Sequence, residues 1–197
     1  MKKVIKLAVL PAVLLMNSGL MYAAAPGAYV GVAGGVSAQQ ERSEFNQDYD
    51  SSFSGRVFAG FNFNRYLGLE ANYAYLGTAR YLSVYNSDAF VDSSLQAVSV
   101  VGKIYLPLSK DSPFNLYAFA GAAQMNAKYK AQYRSVELDH GSDNGIVGTG
   151  GLGVSYDINR HLTSGIELTG YGEREPNDDR LGTPAAVLAT LSIAYKF

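Results

Sequence analysis

The chain of 197 residues contains no cysteine and no tryptophan, and only 17% of its residues are charged. The absence of cysteine excludes a disulfide framework and any thiolate metal site. The charged fraction is low, because about a quarter of the residues in a soluble domain are charged. A formal net charge of −1 without a basic cluster gives no indication of nucleic-acid binding. The length suits one domain that is unusually poor in charge.

Long apolar runs are also missing from the body of the chain. After the first 25 residues, no stretch stays apolar for the roughly 18 residues that a membrane-spanning helix needs. The chain nevertheless has 15 tyrosines and 9 phenylalanines. Amphipathic aromatic rings suit a membrane–water interface. The apolar side chains must therefore be accommodated by something other than spanning helices.

An export signal is predicted at residues 1–25. Three lysines within the first six residues precede the short apolar run Leu7–Met16, and small residues follow at Ala23–Ala25. This is the layout of a secretory signal peptide, and its apolar run is too short to span a membrane. We place the cleavage point within Ala23–Ala25, and a buried N-terminal helix is the alternative. Residues 26–197 then form the mature domain.

From Gly27 onward, bulky apolar residues alternate with small or polar residues in segments of about ten. A β-strand places successive side chains on opposite faces, so this period of two predicts strands. Two segments rich in Ala and Gly, the first and the fifth, are assigned by composition because their phase is weak. The predicted strands are Gly27–Gln39, Phe53–Asn64, Tyr66–Gly77, Leu95–Leu106, Phe114–Met125, Ile146–Tyr156, Leu162–Gly172 and Val187–Phe197.

The predicted fold is all-β, an eight-stranded antiparallel up-and-down transmembrane β-barrel. An even number of antiparallel strands closes without an unpaired edge. Eight strands enclose a space that side chains can fill. Small residues at predicted inward positions suit that narrow space: Gly60, Gly68, Ala74, Ala97, Gly151 and Gly165.

The predicted connections alternate in length. Short ones fall at Asn64–Tyr66, Pro107–Pro113 and Asp157–His161, and long polar ones at Gln40–Ser52, Thr78–Ser93, Asn126–Asn144 and Glu173–Pro184. Membrane barrels have short periplasmic turns and long external loops. We expect aromatic girdles as well, with one at the periplasmic ends of the strands that includes Tyr29, Tyr66, Tyr105, Phe114, Tyr156 and Phe197. A secreted soluble barrel is the alternative, but it would need the bulky apolar rows inside.

Four stretches, in this order and spacing, resemble the OmpA-type outer-membrane barrels and the small opacity-like barrels. They are NRYLGLEANYAYLG at Asn64–Gly77, GKIYLPLSKDSPFNLYAFAGAA at Gly102–Ala123, GLGVSYDINRHLTSGIELTGYG at Gly151–Gly172 and the terminal LSIAYKF. The resemblance implies a Gram-negative outer-membrane location with loops facing the exterior. It implies outer-membrane lipid, lipopolysaccharide and the outer-membrane assembly machinery as partners. The peptidoglycan-binding domain of the long family members has no counterpart in the sequence.

The last strand looks like the C-terminal signal that the assembly machinery reads. A terminal aromatic residue ends one face of that strand, and the same face carries the other residues assigned to the signal: Leu191, Ile193, Tyr195 and Phe197.

The resemblance also implies a charged network inside the barrel. Glu70 matches the family's inward Glu of the third strand, Lys103 the inward Lys of the fourth, and Glu167 an inward Glu of the seventh. The seventh-strand Arg that partners the first of these Glu residues aligns with Gly165, so Arg56 on the second strand is expected to replace it. These four charges sum to zero, which a closed interior requires. We interpret the set as a static plug, with a gated narrow pore as the alternative.

No catalytic site is predicted. Lipid A deacylases and acyltransferases among outer-membrane barrels need His and Ser on one face. Here His161 and Ser164 are three residues apart, on opposite faces of a strand. His140 lies beside two aspartates in a predicted loop, which we interpret as solvated rather than metal-binding. The sequence GTGGLG at Gly148–Gly153 opens no helix and is not a nucleotide loop. We therefore expect no enzyme activity, no cofactor and no metal.

The leading functional hypothesis is a non-enzymatic barrel that supports outer-membrane integrity. An adhesin or host-interaction protein is the second hypothesis, with Glu41–Ser52 and Asn126–Asn144 as the loops that would contact host surface ligands. A narrow, low-conductance channel is the third.

Overall fold

The computed structural model describes residues 26–39, 50–82, 89–107, 112–133, 136–173 and 185–197. Each strand pairs antiparallel with its neighbours along the chain, and the first pairs with the last, so the sheet closes into a barrel. The predicted fold is confirmed, while the predicted export signal lies outside the described residues. The strands are β1 (Gly27–Gln39), β2 (Asp50–Asn62), β3 (Leu67–Leu82), β4 (Ala89–Pro107), β5 (Phe114–Tyr133), β6 (Val136–Asp157), β7 (Leu162–Tyr171) and β8 (Ala186–Lys196).

The two ends of the barrel differ. We call the end with the connections 63–66, 108–113 and 158–161 the turn end, and the opposite end the loop end. Within the described ranges, no helix is long and apolar enough to cross a membrane.

Two of the turns, 63–66 and 158–161, have the same sequence pattern and the same hydrogen bonds. Both contain Asn-Arg followed by an aromatic residue and then Leu. The Oδ1 atom of Asn64 accepts hydrogen bonds from the backbone N–H groups two and three residues on, at 2.8 and 2.9 Å, and Asn159 does the same at 2.8 Å for both. Asn favours turns through such bonds to its own following backbone. Since these turns are four strands apart, they lie on opposite sides of the barrel.

Strands at the loop end are longer than the sequence predicts. Thr78–Leu82 and Ala89–Ser93 continue the pairing of β3 with β4, and the predicted loop Asn126–Asn144 is mostly a paired hairpin of β5 and β6. The loops predicted at this end were therefore too long. Backbone hydrogen bonding needs no apolar side chains, so strands continue where the apolar alternation has stopped.

The outer surface of the barrel is apolar. Leu152, Ile166 and Leu191 are 62%, 63% and 66% exposed, and large apolar side chains are exposed on every strand. Polar and charged side chains such as Glu70 and Glu167 are instead buried inside, each 1% exposed. A soluble barrel would have the reverse arrangement, so that alternative is wrong. Apolar surface of this extent requires lipid around it.

Candidate functional site

The barrel interior contains two layers, and the one nearer the loop end is mainly apolar. We call this layer, in the loop-end half, the apolar plug. Its Leu and Met side chains are each at most 1% exposed, so they leave little room for water between them. The plug consists of Leu76, Leu95, Met125 and Leu188 with Ala74, Ala97, Ala123, Ala127, Val147, Tyr171 and Ala186.

The other layer holds the charges, and Glu167 on β7 is its most heavily bonded member. Its Oε1 atom accepts hydrogen bonds from Arg56 Nη1 and, at 2.9 Å, from Thr169 Oγ1. Its Oε2 atom accepts one from the hydroxyl of Tyr117 at 2.9 Å and lies 3.7 Å from Lys103 Nζ. This single carboxylate therefore joins strands β2, β4, β5 and β7 across the lumen.

Glu70 on β3 is the second buried carboxylate. Its Oε2 atom lies 2.5 Å from Lys103 Nζ and 2.8 Å from the hydroxyl of Tyr29. Lys103 thus bridges the two carboxylates, and its ammonium group also lies 4.8 Å from the ring centroid of Tyr117. Charge-assisted hydrogen bonds and cation–π contacts are strengthened where water is excluded. The layer is neutral and mutually bonded.

The structure brings together the three charged residues that the resemblance implies and the suggested substitute Arg56, but Arg56 has a different partner. Arg56 bonds Glu167 rather than Glu70. In the register of β2 with β3, Arg56 lies opposite Ala74, whereas Glu70 lies opposite Gly60. A four-residue offset is roughly 13 Å along a strand, so the nearer route for Arg56 is across the lumen. The functional role of the network stays a prediction.

Each carboxylate belongs to a three-residue row that occurs twice in the barrel. Tyr29, Gly60 and Glu70 lie side by side on β1, β2 and β3. Tyr117, Gly153 and Glu167 occupy the equivalent places on β5, β6 and β7. A Cβ atom on either glycine would overlap the tyrosine ring, so glycine is what lets each ring cross a strand to reach its carboxylate.

Sequence reasoning missed both tyrosines. Tyr29 was predicted at the aromatic girdle but is 6% exposed inside the barrel. Tyr117 was not predicted to face the lumen, because Ala and Gly occupy both faces of β5 and the alternation of bulky and small residues is weak there. The sequence does contain a related signal. The pattern Asn-Arg-aromatic-Leu occurs once between β2 and β3 and again between β6 and β7, and the two tyrosine rows repeat at the same interval of four strands.

A second buried ion pair lies nearer the turn end. Lys196 Nζ is 2.6 Å from Asp157 Oδ1, which also accepts a hydrogen bond from Thr163 Oγ1 at 2.6 Å. This pair was not predicted, although Lys196 falls on the inward row of β8. It ties β6, β7 and β8 together where the barrel approaches its rim.

A cavity of about 50 Å³ lies between the charge layer and the turn end. Its lining combines polar side chains with aromatic rings, and Glu70 Oε1 and Asn115 Oδ1 are buried there without a hydrogen-bond partner among the described residues. Such a space is large enough for water and has the polar groups that hold water. Tyr105 also lines it, so the prediction of Tyr105 in the aromatic girdle was wrong.

The residues weighed as catalytic candidates are not assembled into a site by the described part of the chain. His161 is exposed in a turn, where its ring stacks on Tyr195 with centroids 5.6 Å apart and Nδ1 lies 3.1 Å from the carbonyl oxygen of Lys196. Gly148–Gly153 lies within β6, as predicted. The side chain of His140 lies outside the described residues.

The residues predicted as an assembly signal share the outward face of β8, where they are 45–74% exposed. They are Leu191, Ile193, Tyr195 and Phe197. The rings of the last two are 5.3 Å apart, and Phe197 N donates a hydrogen bond to Ala28 O at 3.0 Å. This geometry exposes an aromatic edge at the β1–β8 seam.

We predict that deleting Phe197 lowers the folded, membrane-inserted yield several-fold, because the exposed aromatic edge of β8 is shortened. The measurement is heat-modifiable gel migration of outer-membrane fractions. Phe63→Ala is the matched control, since Phe63 is another exposed aromatic residue at the turn end. Normal insertion of the deletion variant would refute the assembly role.

Comparison with known proteins agrees with this architecture. The family model described as "Outer membrane protein beta-barrel domain" matches residues 8–197. Outer membrane protein A of Serratia marcescens is 26% identical over 145 residues, which cover 72% of this chain but only 38% of that protein. The chain therefore spans well under half of that relative's length.

Solved structures share the fold. Neisserial surface protein A has a TM-score of 0.68 at 16% identity, with 87% of this chain and 97% of that one covered. OprG of Pseudomonas aeruginosa has a TM-score of 0.57 at 12% identity, with 90% and 99% covered. Since the family model spans nearly the whole sequence, this chain belongs to the outer membrane protein β-barrel family and resides in the Gram-negative outer membrane.

Proposed function

We propose that this protein is a non-enzymatic, non-conducting barrel that supports the integrity of the outer membrane. The interior carries the proposal: a cluster of buried apolar side chains lies in the loop-end half, and a neutral, bonded charge layer lies on its turn-end side. A channel needs a continuous polar path, and apolar constrictions stop ions by excluding water. The static-plug interpretation is therefore favoured over the gated pore.

The proposed orientation puts the turn end in the periplasm and the loop end outside, as is usual for such barrels. In this orientation the outer surface contacts phospholipid and lipopolysaccharide, and the exposed edge of β8 is what the assembly machinery would bind. Nucleic acid is not a proposed partner.

The wild-type protein is expected to show no stepped conductance in planar bilayers, because the plug keeps water out of the loop-end half. The double variant Met125→Ser, Leu188→Ser should conduct, since it makes two fully buried plug positions polar. Leu191→Ala, on the outward face of β8, is the control and should remain silent. Wild-type conductance that is sensitive to Glu70→Ala and Arg56→Ala would instead support the gated pore.

The role in membrane integrity is tested in a deletion strain. Loss of the protein should increase uptake of a hydrophobic dye and sensitivity to detergent, and the wild-type gene should restore both. Unchanged permeability in the deletion strain would refute this role.

A host-contacting role is the second candidate, and the β5–β6 hairpin favours it. About eight residues of each strand continue past the apolar band, roughly 25 Å of extended chain. Such a hairpin could present side chains to a host surface ligand well outside the lipid. Shortening it at residues 128–142 should abolish cell binding while leaving heat-modifiable migration intact, and unchanged binding would exclude this role.

A further inference from the structure

The two repeated turns each carry an exposed arginine at the tip. Arg65 and Arg160 follow the asparagines whose side chains fix the backbone of these turns. In the described part of the chain neither arginine has a carboxylate partner, and Arg65 lies 5.0 Å from the ring centroid of Tyr66. The same local structure therefore places an exposed arginine in a turn on each of two opposite sides of the barrel.

Both arginines lie beside outward-facing aromatic residues. Phe61 and Phe63 pack next to the first turn with centroids 5.6 Å apart, and Tyr195 and Phe197 lie next to the second. Aromatic belts mark the depth of lipid head groups. Since these turns span only residues 63–66 and 158–161, they hold the arginines close to that depth.

Arginine is the only residue in either turn that carries a full charge at pH 7. Neither turn contains an acidic residue. The carboxylate nearest along the chain to Arg160, that of Asp157, is buried and paired with Lys196. Because Arg has a planar fork that binds phosphate oxygens in pairs, it is suited to a lipid phosphate at this position.

We propose that Arg65 and Arg160 each bind the head group of an anionic phospholipid, such as phosphatidylglycerol, in the leaflet around the turn end. The barrel then has two such sites, because the two turns are four strands apart. This inference uses the proposed orientation for its location in the periplasmic leaflet, but the binding itself depends only on the turns. A lipid is favoured over a periplasmic protein because the arginines adjoin the apolar outer surface.

The test is the association of spin-labelled lipids with the protein in phosphatidylethanolamine bilayers, measured by electron spin resonance. At low ionic strength, labelled phosphatidylglycerol should be preferred over labelled phosphatidylcholine by about fivefold at each site. Arg65→Gln, Arg160→Gln should abolish the preference, and each single variant should halve the number of preferred lipids. Lys128→Gln, at an exposed position toward the loop end, is the matched control and should change nothing.

Heat-modifiable migration first establishes that every variant is folded. Absence of preference in the wild type, or its retention in the double variant, would overturn the proposal. The proposed integrity role can fail independently: a permeability assay in cells can be negative while the lipid preference persists in bilayers.

Discussion

Glu167→Ala is expected to destabilise the folded barrel by about 3–5 kcal/mol, because it leaves two buried cations without their shared partner. Arg56 would lose its only carboxylate in the described interior, and Lys103 would keep Glu70 alone. Tyr117 and Thr169 would also lose the acceptor of their hydroxyl groups. Leaving a buried guanidinium group unpaired is the main part of this penalty.

The measurement is urea unfolding in lipid vesicles, followed by circular dichroism of the β signal since the chain has no tryptophan. The double variant Arg56→Met, Glu167→Met should recover most of the loss, because it removes the charge and its counter-charge together and leaves Lys103 with Glu70. Lys128→Ala, at an exposed position, should leave the midpoint unchanged. A single variant as stable as the wild type would mean that the network contributes nothing to the closed state.

Gly35→Ala is expected to destabilise the barrel by about 3 kcal/mol by opening the seam between the first and last strands. A Cβ atom at Gly35 would overlap the backbone oxygen of Ala189 and lie 2.8 Å from the Cα atom of Thr190. Both atoms belong to the backbone of β8, which cannot move aside as a flexible side chain can. The two strands must therefore separate locally at the contact that closes the barrel.

The neighbouring glycine supplies a control matched in residue type and strand. Gly34 has no atom within 4 Å of a built Cβ, so Gly34→Ala should fold with normal yield. Comparing the urea midpoints and the heat-modifiable fraction of the two variants isolates the clash from the change in residue type. Equal behaviour of both variants would show that the seam tolerates a side chain at Gly35.

The barrel could be predicted from the sequence because residues that face lipid must be apolar, whereas the alternate residues that face the narrow lumen must be small or polar. That contrast is clear around Glu70, Lys103 and Glu167, where bulky apolar neighbours point outward, and all three residues are buried. The contrast between the two faces is weak on β5, where alanines occupy both of them. The sequence therefore did not predict whether Tyr117 faces the lumen or the lipid.

Other features depend on strand register, which the alternation does not specify. Leu76 lies on β3 and Leu188 on β8, and only the pairing of all eight strands brings them into one plug. Likewise, Arg56 was expected to pair with Glu70, but the register of β2 with β3 places Arg56 opposite Ala74, away from Glu70. Beyond the bilayer the apolar alternation stops, so the extended β5–β6 hairpin was predicted as a loop.

The apolar plug gives the solutions at the two ends of the barrel unequal access to the buried charges. Glu70 and Glu167 lie on the turn-end side of the plug, and the cavity lies beyond them toward the turn end. Salt or acid added at the turn end can approach these charges through that cavity, whereas the same additions at the loop end meet fully buried Leu and Met side chains. The buried ion pairs are therefore expected to respond to the solution at the turn end more readily than to the solution at the loop end.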